Sequence, residues 1–291
     1  MKTIVSIVNY NTKELTIKCL RSVFNSDYKD IEVWVVDNSS SDGSVEIFKK
    51  KFPGIKLIAN NKNLGFGKAH NQVLKKAQGD NFLVLNSDTE VEKETISQMV
   101  KFMDTENCGI ASCKVMGFDG KLQPNGGDLP FGLALLGWLF NLEWLGVKSS
   151  FHQNKQEYYQ ETRSVGWVSG NFMMIESGVI EKVGYFNEAY FMYFEDVEFC
   201  YSASKKGFKV MINPKVSIKH LSGGSLDNPH LRQWSGEYKG LILFYSQNFG
   251  KLVGFLIQIL VYKSILFRMV AFALIGKINY SLTYAKVFAN L

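Results

Sequence analysis

Through the first hundred residues, short apolar runs alternate with stretches whose apolar positions recur at helical spacing. Thr3 to Val8, Glu32 to Val36, Ile55 to Ala59 and Asn81 to Leu85 are β-branched or apolar runs of the kind buried on both faces of a sheet. Ile17, Leu20, Val23 and Phe24, then Ala69, Val73, Leu74 and Ala77, then Ile96, Met99, Val100 and Met103 follow the period of an amphipathic helix. This series predicts right-handed βαβ crossovers and a mainly parallel, Rossmann-like α/β sheet flanked by helices, with ligands bound beyond the carboxyl ends of the strands. Two of those ends carry acids in turns, Val36-Asp37-Asn38-Ser39-Ser40 and Leu85-Asn86-Ser87-Asp88-Thr89, and both loops are expected to open on one crevice.

The pattern is lost between about residues 105 and 163, where Pro124 to Pro130 precedes the apolar run Phe131 to Val147. It returns with a strand expected over Ser164 to Ile175, a helix over Glu195 to Lys206 and a strand over Phe208 to Ile218. The chain closes on Leu252 to Gly276, apolar but interrupted by Gln258, Lys263 and Arg268. A membrane span needs about 20 apolar residues, but each mid-span cation costs roughly 2.5–3.5 kcal/mol. The expectation is therefore a set of interfacial helices, with packing inside protein or in a homo-oligomer, and last a span, as the alternatives. Phe131 to Val147, with Trp138 and Trp144, reads as a second interfacial contact or a buried helical hairpin.

Composition narrows the class. With 46% hydrophobic residues, 21% charged and five prolines in 291 residues, the chain has enough apolar surface for a folded α/β domain with an appendage. Its four cysteines form no CxxC pair and no disulfide framework, which fits a reducing compartment, and Met1 to Tyr10 run into a strand pattern rather than a signal peptide. The expected location is cytoplasmic. The net charge of +6 is spread over helical segments without interleaved aromatics, which argues against nucleic acid and leaves anionic lipid or a phosphorylated substrate.

Candidate chemistry sits where polar residues follow buried strands. Asp88 is placed to hold a hard divalent ion, although Asn86-Ser87-Asp88 taken alone is more often an Asx turn. Asp37 is either a turn residue or an acceptor for a nucleoside. Asn60 to Lys68 combines glycines with a helix start, which suits a diphosphate, but it is neither GxGxxG nor a Walker loop. Glu195, Asp196 and Glu198, set among aromatics at a helix start, are either caps or a partly desolvated site whose carboxylate accepts a proton. His220, followed by a glycine-rich turn, is either structural or a metal and phosphate ligand.

Taken together these residues resemble glycosyltransferase family 2 with the GT-A fold, and within it the rhamnosyltransferase-like branch, over about residues 1 to 235. The markers are Val8-Asn9-Tyr10-Asn11, Val36 to Gly43, Asn63-Leu64-Gly65-Phe66-Gly67, Leu85 to Thr89, Ser169-Gly170-Asn171, Phe194-Glu195-Asp196 and His220 to Ser225. The resemblance implies Asp196 as general base with Glu195 beside it, Asn9, Asp37, Asn38, Gly65, Asn86 and Ser87 around the donor, Trp167, Gly170 and Asn171 near the acceptor, and Asp88 and His220 on a divalent metal, Mg2+ or Mn2+. Two departures stand out: the DxD-like motif is Asn86-Ser87-Asp88, with one carboxylate, and Ser202 stands where the family often has arginine.

The implied layout is a GT-A domain over 1–235, with a nucleotide-sugar half at 1–104 and an acceptor and catalytic half at 105–235, then a membrane-associating or oligomerising helical tail over 236–291. The implied reaction moves one sugar, rhamnose among the candidates, from a UDP- or dTDP-linked donor to a lipid-linked saccharide acceptor at the inner leaflet, inverting the anomeric centre. Such a step would serve cell-surface polysaccharide synthesis by a peripheral membrane enzyme. The alternatives are a nucleotidyltransferase and a catalytically degenerate sugar-nucleotide-binding subunit of a membrane complex.

Overall fold

The computed structural model describes residues 1–142, 150–221 and 229–291. Its first part realises the alternation as β1 (Thr3–Asn9), α1 (Lys13–Phe24), β2 (Ile31–Asp37), α2 (Ser44–Lys51), β3 (Lys56–Ala59), α3 (Phe66–Leu74) and β4 (Asn81–Asn86). β1 pairs in parallel with β2 and β4, and β2 with β3. Side-chain alternation explains the double burial. Val5, Ile7, Val33, Val35, Leu83 and Leu85 pack with Ile17 and Leu20 of α1, whereas Ile4, Val36, Phe82 and Val84 pack with Ala69 and Val73 of α3. Each such fully buried side chain contributes about 1.5–3 kcal/mol.

The chain continues through β5 (Thr89–Val91), α4 (Thr95–Glu106), β6 (Ile110–Met116), β7 (Leu122–Gln123), β8 (Gly126–Gly127) and α5 (Gly132–Phe140). Then come β9 (Arg163–Ser164), β10 (Trp167–Val168), β11 (Phe172–Glu176), α6 (Ser177–Val183), α7 (Glu195–Lys205) and β12 (Val210–His220). The main sheet runs β3-β2-β1-β4-β11-β6-β12-β5. β11 enters it antiparallel to both β4 and β6, so the sheet is mixed. The single strand expected over Ser164 to Ile175 is three short ones: β9 joins β12, β10 joins β8, and β11 joins the main sheet. The breaks fall where Gly166 meets the Leu129 backbone and Gly170 meets the Phe66 ring.

Three helices complete the chain: α8 (Pro229–Phe249), α9 (Lys251–Leu274) and α10 (Ile278–Ala289). α8 runs unbroken across the expected boundary at 235/236. α9 is, among the described residues, the one helix long and apolar enough to cross a membrane, with a mean hydropathy of 1.7 over its most apolar window. Arg268 on α9 is nevertheless turned into protein. Its guanidinium donates to the Leu139 carbonyl (2.7 Å), to the Trp138 carbonyl and to the Tyr284 hydroxyl (2.6 Å), so it caps α5 and ties that helix to α10. Trp144, in the apolar run that α5 opens, lies outside the described residues.

Candidate active site

Strand register brings the polar loops together. Asn9 pairs with Asp37 and Val8 with Asn86, so β1, β2 and β4 end level, and a cleft of about 1130 Å³ extends from this rim to α8. Asp37 is 1% exposed and lies behind the cleft wall. Its carboxylate accepts from Asn9 Nδ2 (2.6 Å) and from the Ser40 N–H (2.9 Å), and Asn9 Oδ1 accepts from the hydroxyls of Thr12 and Thr16. Thr12 in turn meets the Ser87 hydroxyl at 2.9 Å, which ties the three strand ends into one network.

Asn38 and Gly65 are on the wall itself. Asn38 Nδ2 donates to the Gly65 carbonyl (3.1 Å) and its Oδ1 accepts from Asn60 Nδ2 (2.9 Å), which fixes the loop before α3. Gly65 has φ +84°, and a Cβ there would run into the Phe191 carbonyl, which accepts from the Phe66 N–H at 2.8 Å. Only glycine permits that approach between the strand-end loop and the segment leading to α7.

At the other end of the rim, β12 pairs with β5 so that His220 stands opposite Thr89. This brings His220 Nε2 within 3.2 Å of Asp88 Oδ1. Gln123 decides the tautomer: its Nε2 donates to the His220 carbonyl (3.0 Å), which can only accept, so its Oε1 is the atom 2.8 Å from Nδ1, and Nδ1 carries the hydrogen. In the neutral ring, Nε2 therefore turns a lone pair toward Asp88, and Asn86 Nδ2 donates to it at 3.2 Å. A lone pair facing a carboxylate at this distance is an arrangement that a cation, metal ion or proton, satisfies. No third His, Cys, Asp or Glu joins them among the described residues. Asp88 and His220 are the two side chains that would hold a divalent ion here, which would need further oxygen ligands from outside the protein. Ser222 to Ser225, which follow His220 in the sequence motif, lie outside the described residues.

The acids that open α7 are aimed by strain. Tyr193 and Phe194 precede them at φ +71° and +74°, a left-handed backbone that costs on the order of 1–3 kcal/mol for each bulky residue. α8 holds this segment in place: a Cβ on Gly236 would lie 2.5 Å from the Tyr193 ring, and one on Gly240 would overlap Phe194 Cβ. Asp196 faces the cleft, accepting from the Gly170 N–H (3.2 Å) and the Val197 N–H (2.8 Å). Burial outweighs these donors and pushes its carboxyl up to about 6. Burial and the neighbouring Asp196 charge raise Glu195 well above the ordinary carboxylate range, and Glu195 Oε2 has no hydrogen-bond partner among the described residues. Of the two, Glu195 holds its proton more tightly, so Asp196 is the one that ionises first and is free to accept a proton.

The residues expected near the acceptor also position the site. Besides bonding Asp196, Gly170 lies against Phe66, and the Asn171 carbonyl accepts from the Asn86 N–H (3.1 Å). Trp167 is buried, donates from Nε1 to the Phe151 carbonyl (3.0 Å) and packs edge-on to His152. Asn38, Gly65, Asn86, Ser87, Asp88, Trp167, Gly170, Asn171, Glu195, Asp196 and His220 all contribute to one cleft. Sequence reasoning missed Gln123, His152, Gly236, Glu237 and Gly240, which also line or shape it. Only the two glycines left a signal, one helical turn apart in α8.

A mixed α/β sheet with a metal-competent pair and a cleft carboxylate is the GT-A arrangement, and the chain matches the family model for glycosyl transferase family 2 over residues 4–184. The protein belongs to this family and is a glycosyltransferase, which displaces the nucleotidyltransferase alternative. It is 24% identical over 259 residues to an N-acetylglucosaminyl-diphospho-decaprenol L-rhamnosyltransferase of Mycobacterium tuberculosis, covering 82% of each chain. Over 103 residues, 35% of this chain and 41% of the relative, it is 35% identical to an Escherichia coli UDP-Glc:α-D-GlcNAc-diphosphoundecaprenol β-1,3-glucosyltransferase. A mannosyltransferase from Pyrobaculum calidifontis, solved with GDP-Man and Mn2+, shares the fold with a TM-score of 0.61 at 16% identity, covering 99% of this chain and 85% of that one.

Proposed function

We propose that the enzyme moves a hexose or rhamnose from a UDP- or dTDP-linked donor to a saccharide carried on a polyprenyl diphosphate, in a step of cell-surface polysaccharide synthesis. The observation that carries this reading is the meeting of Asp88 with His220 on the cleft that Asp196 also faces. Two relatives whose names specify acceptors on prenol diphosphates support the acceptor class. Asn38, Gly65, Asn86 and Ser87 line the donor side, Asn9 and Asp37 brace it from behind, and Trp167 and Asn171 belong to the acceptor side. Asp88 and His220 would hold Mg2+ or Mn2+, with Gln123 fixing the imidazole; when bound, the ion supplies positive charge for the departing diphosphate.

Asp196 Oδ accepts the proton of the acceptor hydroxyl as its oxygen bonds to the anomeric carbon and the diphosphate leaves from the opposite face. This single displacement inverts the centre through an oxocarbenium-like state. The Gly170 and Val197 N–H donors hold the carboxylate in line, and the raised Glu195 carboxyl resists placing a second negative charge beside it. In the domain reading, residues 1–104 serve the donor and 105–235 chiefly the acceptor, with His220 reaching back to the metal and α8 closing the cleft across residue 235. α9 and α10 meet the inner leaflet from the cytoplasmic side, a placement supported by exposed Leu252 (71%) and Leu274 (82%) and by the absence of any Asp or Glu after Glu237.

The test is transfer of radiolabelled sugar from UDP- and dTDP-linked donors to N-acetylglucosaminyl-diphosphate on a short polyprenyl chain. Asp196→Asn is expected to lose about 10²- to 10⁴-fold in kcat while still binding nucleotide. Full turnover in that variant would remove the reading.

A further inference from the structure

Outside the donor residues, the same cleft has a second end built from α5, α8 and the segment after residue 150. Glu237 of α8 is buried there, with a side chain 12% exposed that lies 3.8 Å, Oε2 to Nε2, from His152. Its other oxygen accepts from Gln233 Nε2 one turn earlier (2.9 Å), which leaves Oε2 open toward the cleft. Aromatic rings stand around it, Trp138 being 5.7 Å from His152 and 6.3 Å from Phe194, the residue immediately before Glu195 and Asp196, and the guanidinium of Arg268 lines the same end. Gly236 and Gly240 lock α8 onto Tyr193 and Phe194, so Glu237, between them, has a position fixed relative to Asp196.

The chemistry of this end differs from that of the donor end. Glu237 and Asp196 put two carboxyl groups on this end of the cleft, which disfavours a nucleotide diphosphate, and the Arg268 guanidinium there is already committed to the Leu139 and Trp138 carbonyls and the Tyr284 hydroxyl. An open carboxylate oxygen and an imidazole on an apolar aromatic wall suit a neutral polyhydroxyl ring, whose hydroxyls donate to the carboxylate while its carbon face lies on the wall. We propose that Glu237 and His152, set against Trp138, form the subsite that binds the hydroxyls of the acceptor saccharide and orients one of them toward Asp196. The charge of Glu237 also helps to raise Asp196, as expected of two carboxylates facing one space. The assignment rests on the acceptor class proposed above.

The experiment measures acceptor and donor KM, kcat and unfolding midpoint for Glu237→Gln and His152→Gln. It also follows tryptophan fluorescence while N-acetylglucosaminyl diphosphate on a decyl chain is titrated into the UDP-loaded protein. Glu237→Gln keeps the size of the side chain and an oxygen for Gln233. It is expected to raise the acceptor KM and the probe Kd about ten- to hundredfold, with donor KM and unfolding midpoint unchanged. An unchanged acceptor KM and probe Kd in both variants, or an equal rise in donor KM, overturns the subsite. A wild-type protein that binds the probe through Glu237 but transfers no sugar defeats the transferase reading and leaves the subsite standing. A wild-type protein that binds no probe overturns the subsite.

Discussion

Asp196 carries a pH signature. Its carboxyl is raised to about 6 by burial, so the proton-accepting form fills as pH rises through that value. The kcat/KM profile is expected to climb about tenfold per unit below pH 6 and flatten above it; a limb centred near 4 would show that the carboxylate works without desolvation. The sign for stability is opposite. The folded carboxyl holds its proton more tightly than the unfolded one, whose value is about 4, so this group's contribution to stability falls as pH rises from 4 through 6. Gln123 makes a separate prediction, because it fixes the His220 tautomer. Gln123→Ala is expected to weaken Mn2+ binding about 10- to 100-fold, read by calorimetry with UDP present. Undiminished affinity would mean that the ring is oriented without it.

At the scale of elements, the decisive contact is α8 on the strained segment before α7. Gly240→Ala puts a methyl group where Phe194 Cβ already sits. The overpacking is expected to lower the unfolding free energy by about 1–3 kcal/mol in urea denaturation. It should also cut turnover more than nucleotide affinity, because the displaced residues carry Asp196 and not the donor wall. Equal loss of both would show that α8 supports the whole cleft. The fold of these elements was legible to different degrees. β1 to β4 declared themselves because two-sided burial leaves a run of apolar residues that nothing else explains. β6, β11 and α8 were poorly legible or silent: β11 is short and glycine-flanked, and α8 mixes its polar and apolar residues because one side faces a wet cleft.

Over the whole molecule, charge and apolar exposure converge on one end. Leu252, Phe255, Leu256, Ile259, Leu266, Val270 and Leu274 recur at helical spacing along α9 and are all exposed. Residues 238–291 contain lysines and one arginine but no acid. A second copy docked on this face would set lysine against lysine, whereas an anionic bilayer complements both its charge and its apolar stripe. Changing Lys251, Lys263 and Lys277 together to Gln is expected to weaken binding to phosphatidylglycerol vesicles by about hundredfold, at roughly 1 kcal/mol per charge. Equal binding of the native protein to neutral and anionic vesicles would refute the electrostatic part of the proposed attachment.

The sequence by itself determined the alternating α/β order, the family resemblance and the identity of the polar residues at strand ends, because these depend on local periodicity and on motifs only a few residues long. Tertiary structure alone decided the tautomer of His220, the turning of Arg268 into the protein, the retreat of Asp37 behind the wall and the arrival of Glu237 on the cleft that Asp196 faces. Each of these depends on groups distant in the chain meeting at bonding distance, and no local pattern of apolar and polar residues encodes such a meeting.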